Sequence, residues 1–161
     1  MQRKMLIVDY EKCVGCGFCE MACAIQQGKT VSSTKSMIGL VRFRDVGIIF
    51  PMVCQQCLKP LCADSCPTGA LSRNEETGAM VVDPDLCIAC KMCTVACPLA
   101  GIFVDFEVGH AVKCNLCNGD PLCVKVCGYG ALTYTTLDEA IIRLKKEAVK
   151  KLEETIKKIV F

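Results

Sequence analysis

CVGCGFCEMAC, residues 13–23, sets four cysteines at intervals of three, three and four. Thiolates packed this tightly repel one another, so the segment needs a positively charged centre to hold it together. The same grammar recurs along the chain, whose 16 cysteines fall into four such quartets with none left over. Cys13, Cys16, Cys19 and Cys23 form the first, and Cys54, Cys57, Cys62 and Cys66 the second. Cys87, Cys90, Cys93 and Cys97 form the third, and Cys114, Cys117, Cys123 and Cys127 the fourth.

A chain of 161 residues is one domain or two small ones, and lobes of that smaller size need staples because their cores are thin. Disulfides are one candidate, since an even cysteine count in a short chain fits a secreted, bridged scaffold. The N-terminus MQRKMLIVDYEK argues against export: its apolar run Met5–Val8 ends at Asp9, too short for a signal peptide, and no small-residue cleavage site follows. A reducing, cytoplasmic and anaerobic setting is expected instead. Zinc sites are usually written as two short pairs separated by a longer loop. Here the run is C-x2-C-x2-C-x3-C, in which three thiolates cap three irons of a cubane and the fourth reaches a neighbouring cluster. No C-x-x-C-H occurs, which removes haem c.

Quartets one and three share that spacing, quartet two reads x2-x4-x3, and quartet four reads x2-x5-x3. The widened loops, LKPL at 58–61 and NGDPL at 118–122, each carry a proline that fixes a turn before the third cysteine. All four are read as cubane loops, so the expected cofactor is four [4Fe-4S] clusters. The formal charge of +2 counts every cysteine as neutral; as thiolate ligands of oxidised clusters they bring it to about −6. An acidic holoprotein does not favour a nucleic-acid partner. Mean hydropathy is high at +0.38, yet runs such as GIIFPMVC at 47–54 fall far short of a bilayer span, so no transmembrane segment is expected.

The chain repeats itself. VDYEKCVGCGFCEMAC at 8–23 aligns with VDPDLCIACKMCTVAC at 82–97, and CQQCLKPLCADSCPTGAL at 54–71 with CNLCNGDPLCVKVCGYGAL at 114–132. Order alone pairs quartet one with two and three with four. ALSRNEETGAMVVD at 70–83 disagrees, because two strand-like runs flank the turn EETG. That is the hairpin of a two-cluster ferredoxin, and it makes 54–97 one unit in which the last cysteine of each quartet serves the other's cluster. By the same logic MLIVD at 5–9 and ALTYT at 131–135 pair as strands, bringing quartets one and four into a second lobe. Prolines follow the last cysteines of the middle quartets, at Pro67 and Pro98, whereas Ala24 and Gly128 follow those of the outer two.

This pattern resembles the four-cluster electron-transfer subunits that accompany molybdenum and tungsten enzymes, such as those of dimethyl sulfoxide reductase and formate dehydrogenase, and the polyferredoxin subunits of tungsten aldehyde oxidoreductases. The likeness covers residues 5–135. Its most specific elements are the nested quartets, the Cys-Pro dipeptides at 66 and 97, and VRFRDVGIIFPMVCQQC at 41–57. It implies an α+β fold of two pseudo-symmetric, nested ferredoxin-like lobes: an outer lobe of 1–30 plus 105–135, an inner lobe of 31–104, and an added helix over 136–161. It further implies that Cys13, Cys16, Cys19 and Cys127 hold one cluster, and Cys114, Cys117, Cys123 and Cys23 its neighbour. Cys54, Cys57, Cys62 and Cys97 hold a third, and Cys87, Cys90, Cys93 and Cys66 the fourth.

The function so implied is that of a wire, not an enzyme, joining a larger catalytic subunit that uses tungstopterin or molybdopterin to an electron acceptor or donor. A free polyferredoxin, or a subunit of a hydrogenase or benzoyl-CoA reductase-type complex, are the alternatives; a further acceptor subunit and self-association stand among the partners. The residues offer little for catalysis by the chain alone, with no GxGxxG and no P-loop. His110, the one histidine, reads as a surface or strand residue. Lys91, Lys113 and Lys125 would raise the potential of a cluster they point at and Asp120 would lower it, unless all are solvated loop charges. Arg42 and Arg44 lie on an exposed strand facing either an acidic partner or water.

The tail TLDEAIIRLKKEAVKKLEETIKKIVF, 136–161, predicts one amphipathic helix. Thr136 and Glu139 form a capping box, and Leu137, Ile141, Leu144, Ala148, Leu152, Ile156 and Ile159 share one face. Glu147 with Lys151 and Glu153 with Lys157 are spaced as i,i+4 pairs. The apolar face is expected to pack on its own domain, to dock on a catalytic subunit or second copy, or to lie on a membrane surface.

Overall fold

The computed structural model describes residues 4–27 and 35–160, so the lobe boundary expected between residues 30 and 31 lies outside the described residues. The fold is α+β, built among the described residues from short two-stranded antiparallel sheets and five α-helices. Strand β1 (Lys4–Val8) pairs with β8 (Leu132–Thr136), with Lys4 opposite Thr136 and Val8 opposite Leu132. This joins the two ends of the cysteine-bearing chain. Strand β4 (Leu71–Arg73) pairs with β5 (Met80–Val82). Their turn is fixed by Asn74, whose Oδ1 accepts from the Glu76 and Thr77 amides and the Thr77 hydroxyl. Both pairings read from the strand-like runs are therefore present.

Two further hairpins have quieter signals. Strand β2 (Ile38–Phe43) pairs with β3 (Ile48–Val53) through a turn at Gly47, and β6 (Ile102–Asp105) with β7 (His110–Lys113) through one at Gly109. Both glycines have φ near +70°, at 68° and 76°, where a β-carbon is strained. Asp105 caps the second turn by accepting from the Glu107 amide. Arg42, next to last in β2, donates to the Gly15 carbonyl at 3.3 Å, while Arg44 falls in the turn beyond the strand.

Helix α1 (Phe18–Gln26) packs against α4 (Leu122–Lys125), and α2 (Leu61–Asp64) against α3 (Met92–Ala96). Two apolar cores follow. Leu6, Met37, Ile38, Val53, Leu116 and Leu132 gather around Cys19, Cys23, Cys114 and Cys123. Leu71, Met80, Ile102 and Ala111 gather around Cys93, with Cys62, Cys66, Cys87 and Cys97 packed against them. The β2–β3 hairpin thus rests on the core of the outer quartets.

Helix α5 (Leu137–Val160) is one uninterrupted rod of 24 residues, about 36 Å long. Its capping box is reciprocal: the Glu139 amide donates to Thr136 Oγ1, and the Thr136 amide to Glu139 Oε2. Among the described residues no helix is long and apolar enough to cross a membrane.

Candidate metal centres

Each quartet begins with a pinched loop. The residue before the second cysteine is left-handed in all four: Gly15 at φ 70°, Gln56 at 51°, Ala89 at 54° and Leu116 at 57°. Three of these carry a β-carbon, which makes the left-handed conformation cost about 1–2 kcal/mol each. Such strain persists only where the surroundings require it. The gain is a concave row of backbone N–H groups, the nest that receives anionic groups including iron–sulfur clusters.

The later cysteines of each quartet sit on or just beyond a helix: Cys19 and Cys23 on α1, Cys62 on α2, Cys93 on α3 and Cys123 on α4, with Cys66, Cys97 and Cys127 following their helices. Since α1 lies against α4 and α2 against α3, the last cysteine of one quartet is delivered to the other's loop. Four cavities result. One is lined by Cys13, Cys16 and Cys19 with Cys127, and one by Cys114, Cys117 and Cys123 with Cys23. A third is lined by Cys54, Cys57 and Cys62 with Cys97, and a fourth by Cys87, Cys90 and Cys93 with Cys66. All 16 cysteines are used and none forms a disulfide.

The donor sets fit iron–sulfur clusters. Each cavity offers four thiols, and its described lining holds no carboxylate or imidazole, a soft set of the kind that selects such clusters. Burial pushes the Cys19 thiol up to about 11, and those of Cys114 and Cys123 up to about 12. Cys62, Cys93 and Cys117 move the same way for the same reason. Thiols held so high remain protonated at neutral pH until a cation displaces the proton. Backbone amides are already aimed at sulfur: Met37 N–H at Cys23 Sγ at 3.3 Å, Gly101 N–H at Cys97 Sγ at 3.3 Å, and Ala111 N–H at Cys87 Sγ at 3.4 Å. At Cys66 burial pushes the thiol up, but hydrogen bonds from Thr68 and from the Ala70 and Leu71 backbone outweigh it and leave the thiol below its ordinary value.

The charged residues flagged by position separate cleanly. Lys91 lies over the Phe106 ring, 4.7 Å from its centroid, and Lys125 is paired with Asp120. Lys91 lines the cavity of Cys66, Cys87, Cys90 and Cys93 but is exposed, whereas Lys113 lines that of Cys54, Cys57, Cys62 and Cys97 and alone of the three is buried. His110 opens β7, with Nδ1 3.0 Å from the Val108 carbonyl oxygen, and has a strand-end role. Two residues carry weight that spacing does not announce. Gln56, 1% exposed, donates to the Cys114 carbonyl and accepts from the Met80 amide, tying two quartets together. Gly101 sits so close to Cys54 that a β-carbon there would stand 3.0 Å from the Cys54 Cα.

Residues 46–136 match the family described as the 4Fe-4S dicluster domain, and residues 6–23 match a 4Fe-4S binding domain. The chain is 39% identical over 130 residues to the beta subunit of NADH-dependent phenylglyoxylate dehydrogenase from Aromatoleum evansii, covering 80% of this chain but only 29% of that protein. It is 36% identical to the polyferredoxin-like subunit of aliphatic sulfonate oxidoreductase from Pyrococcus furiosus, covering 84% and 79% of the two chains. It is 35% identical to the Escherichia coli electron transport protein HydN, covering 80% and 86%. In shape it is similar to a chain of the active site complex BamBC of benzoyl coenzyme A reductase, with a TM-score of 0.50 at 24% identity and 98% of both chains covered. A chain with these loops, these thiols and these relatives belongs to the 4Fe-4S dicluster family and is an iron–sulfur electron-transfer subunit.

Proposed function

We propose that the chain holds four [4Fe-4S] clusters in nested ligand sets and conducts electrons for a larger catalytic oxidoreductase subunit, one that uses tungsten or molybdenum bound to a pterin. The observation that carries this reading is the composition of the four cavities, each lined by three cysteines of one quartet and the last of another. When bound, each cluster supplies a one-electron couple. The chain's own work is to hold the ligands in a row, with the Cys23, Cys114 and Cys123 thiols buried and Cys57 of the second quartet exposed.

The order along that row follows from neighbours. The Cys19 thiol adds to the field at Cys123, which links the first and fourth quartets, and the Cys54 thiol adds to the field at Cys114, which links the fourth and second. Helices α2 and α3 link the second and third. The first and third quartets are then the ends. Each end has an exposed cysteine, Cys16 or Cys90, amid exposed apolar side chains: Val14, Phe18 and Tyr129 at one, Ile88, Met92 and Phe106 at the other. Such rims suit brief contact with a redox partner.

The identity of the partner rests on the relatives, of which the Pyrococcus furiosus protein is itself named as a subunit of an oxidoreductase. Affinity purification of the full chain from its native cells, without oxygen and at low salt, is the test. Co-purification of a larger subunit containing tungsten or molybdenum, with about sixteen irons and sixteen sulfides on this chain, is the expected result. Recovery of the chain alone would make it a free polyferredoxin, and about eight irons would remove quartets two and four from the wire.

A further inference from the structure

Lys113 is a buried ammonium that the wire described above does not yet use. It closes β7, is 7% exposed, and donates from Nζ to the Met80 carbonyl at 2.8 Å and the Cys114 carbonyl at 3.3 Å. Among the described residues it forms no ion pair with a carboxylate. A buried charge with only two neutral acceptors is unfavourable unless something anionic lies close by. The surroundings name what that is. Lys113 lines the cavity of Cys54, Cys57, Cys62 and Cys97, and it immediately precedes Cys114, a wall of the adjoining cavity. Its field favours the ionised form of both Cys62 and Cys114. Gln56 locks the same junction, joining Met80 and Cys114 through its own side chain.

Resting on the nested four-cluster reading, we propose that the Lys113 ammonium is the shared counter-charge of the two middle clusters and sets their potentials above those of the end clusters. Each cluster gains one electron and no proton on reduction, so a fixed positive charge between two of them favours the reduced form of both. The hop between the Cys23/Cys114/Cys117/Cys123 set and the Cys54/Cys57/Cys62/Cys97 set then runs between near-equal couples. An electron entering from either end rests at the junction until a partner withdraws it. Lys91 and Lys125 do not serve this way: Lys91 lines the cavity of Cys66, Cys87, Cys90 and Cys93 from an exposed position where water and salt screen its charge, and Lys125 is exposed and paired with Asp120.

The test is an anaerobic potentiometric titration of the full holoprotein, followed by electron paramagnetic resonance, with dithionite as reductant. Iron and sulfide are counted on the same samples. Lys113→Gln keeps an amide donor for the carbonyls and removes the charge; Lys113→Arg keeps the charge. In Lys113→Gln at full iron, two of the four clusters are expected to move to lower potential by at least a tenfold change in their reduced-to-oxidised ratio, about 59 mV for a one-electron couple. The Arg variant is expected to stay near the parent. Loss of iron in the Gln variant alone would also support the counter-charge, since the Arg variant still loads. Unchanged potentials in a fully loaded Gln variant, an equal shift of all four clusters, or equal damage by Arg and Gln would each overturn it. Fewer than about sixteen irons in the unsubstituted chain would instead fault the four-cluster reading, which the potentials do not test.

Discussion

At position 101 the absence of a side chain decides the shape of a cluster loop. The Gly101 amide donates to Cys97 Sγ, and a β-carbon there would stand 3.0 Å from the Cys54 Cα and 3.3 Å from its Cβ. Backbone is the obstacle, so the neighbour has little room to give. Gly101→Val is therefore expected to cost about 1–3 kcal/mol through overpacking and to loosen the Cys54/Cys57/Cys62/Cys97 set first. Thermal bleaching of the visible iron–sulfur absorption, followed against temperature, measures the first effect, and the spectrum of one cluster changing before the other three measures the second. The cysteines themselves were legible from spacing, because a cubane loop has a fixed reach and the x3 before each last cysteine repeats. Gly101 and Gln56 were not legible. Their roles depend on Cys54, Met80 and Cys114, which are remote in sequence and reach them only through the fold.

The element whose behaviour departs most from its pattern is α5. Periodicity located the helix, its cap and its apolar stripe, yet it does not say which face turns inward. The inward face is polar. Ala140 is buried, Arg143 donates to Thr133 Oγ1 at 2.7 Å and reaches the Asp9 carboxylate at 3.7 Å, and Lys151 pairs with Glu11 at 2.6 Å. The i,i+4 pair expected between Glu147 and Lys151 is absent for this reason, since Glu147 pairs with Arg143 instead; the pair of Glu153 with Lys157 is present at 2.6 Å. Leu137, Ile141, Leu144, Leu152, Ile156 and Ile159 stand exposed on the flank beside the inward face. The stripe therefore does not pack wholly on its own domain: Leu137 lines a cavity beside Cys57, and the rest of it stands in the open. Truncation after Thr136 is expected to leave iron content unchanged, because only the first turns of α5 touch the strands that frame the cores. The same truncation is expected to abolish co-purification of the catalytic subunit proposed above. A truncated chain that loads fully and still retains that subunit would remove α5 from the docking surface.

Across the whole molecule, one pairing makes the rest possible. Strand β1 on β8 closes a loop of more than a hundred residues, and closure entropy grows only with the logarithm of length, so joining distant quartets costs little more than joining near ones. The inner hairpin was legible because EETG between two short apolar runs is a local signal. The outer closure was legible by the same logic, since the inner hairpin makes quartets two and three one unit and leaves the two terminal runs to bring quartets one and four together. The β6–β7 hairpin was missed, since its turn at 106–109 looks like any polar loop and the capping by Asp105 is a tertiary detail. Nesting of the ligand sets is the central claim, and paired substitutions test it most directly. Cys23→Ala combined with Cys114→Ala should damage one cluster and leave three intact, whereas Cys23→Ala combined with Cys54→Ala should damage two, counted by Mössbauer spectroscopy of iron-57-enriched protein. The reverse pattern, with one cluster lost to the Cys23 and Cys54 pair and two to the Cys23 and Cys114 pair, would mean that the quartets pair in sequence order and that the nested wire is wrong.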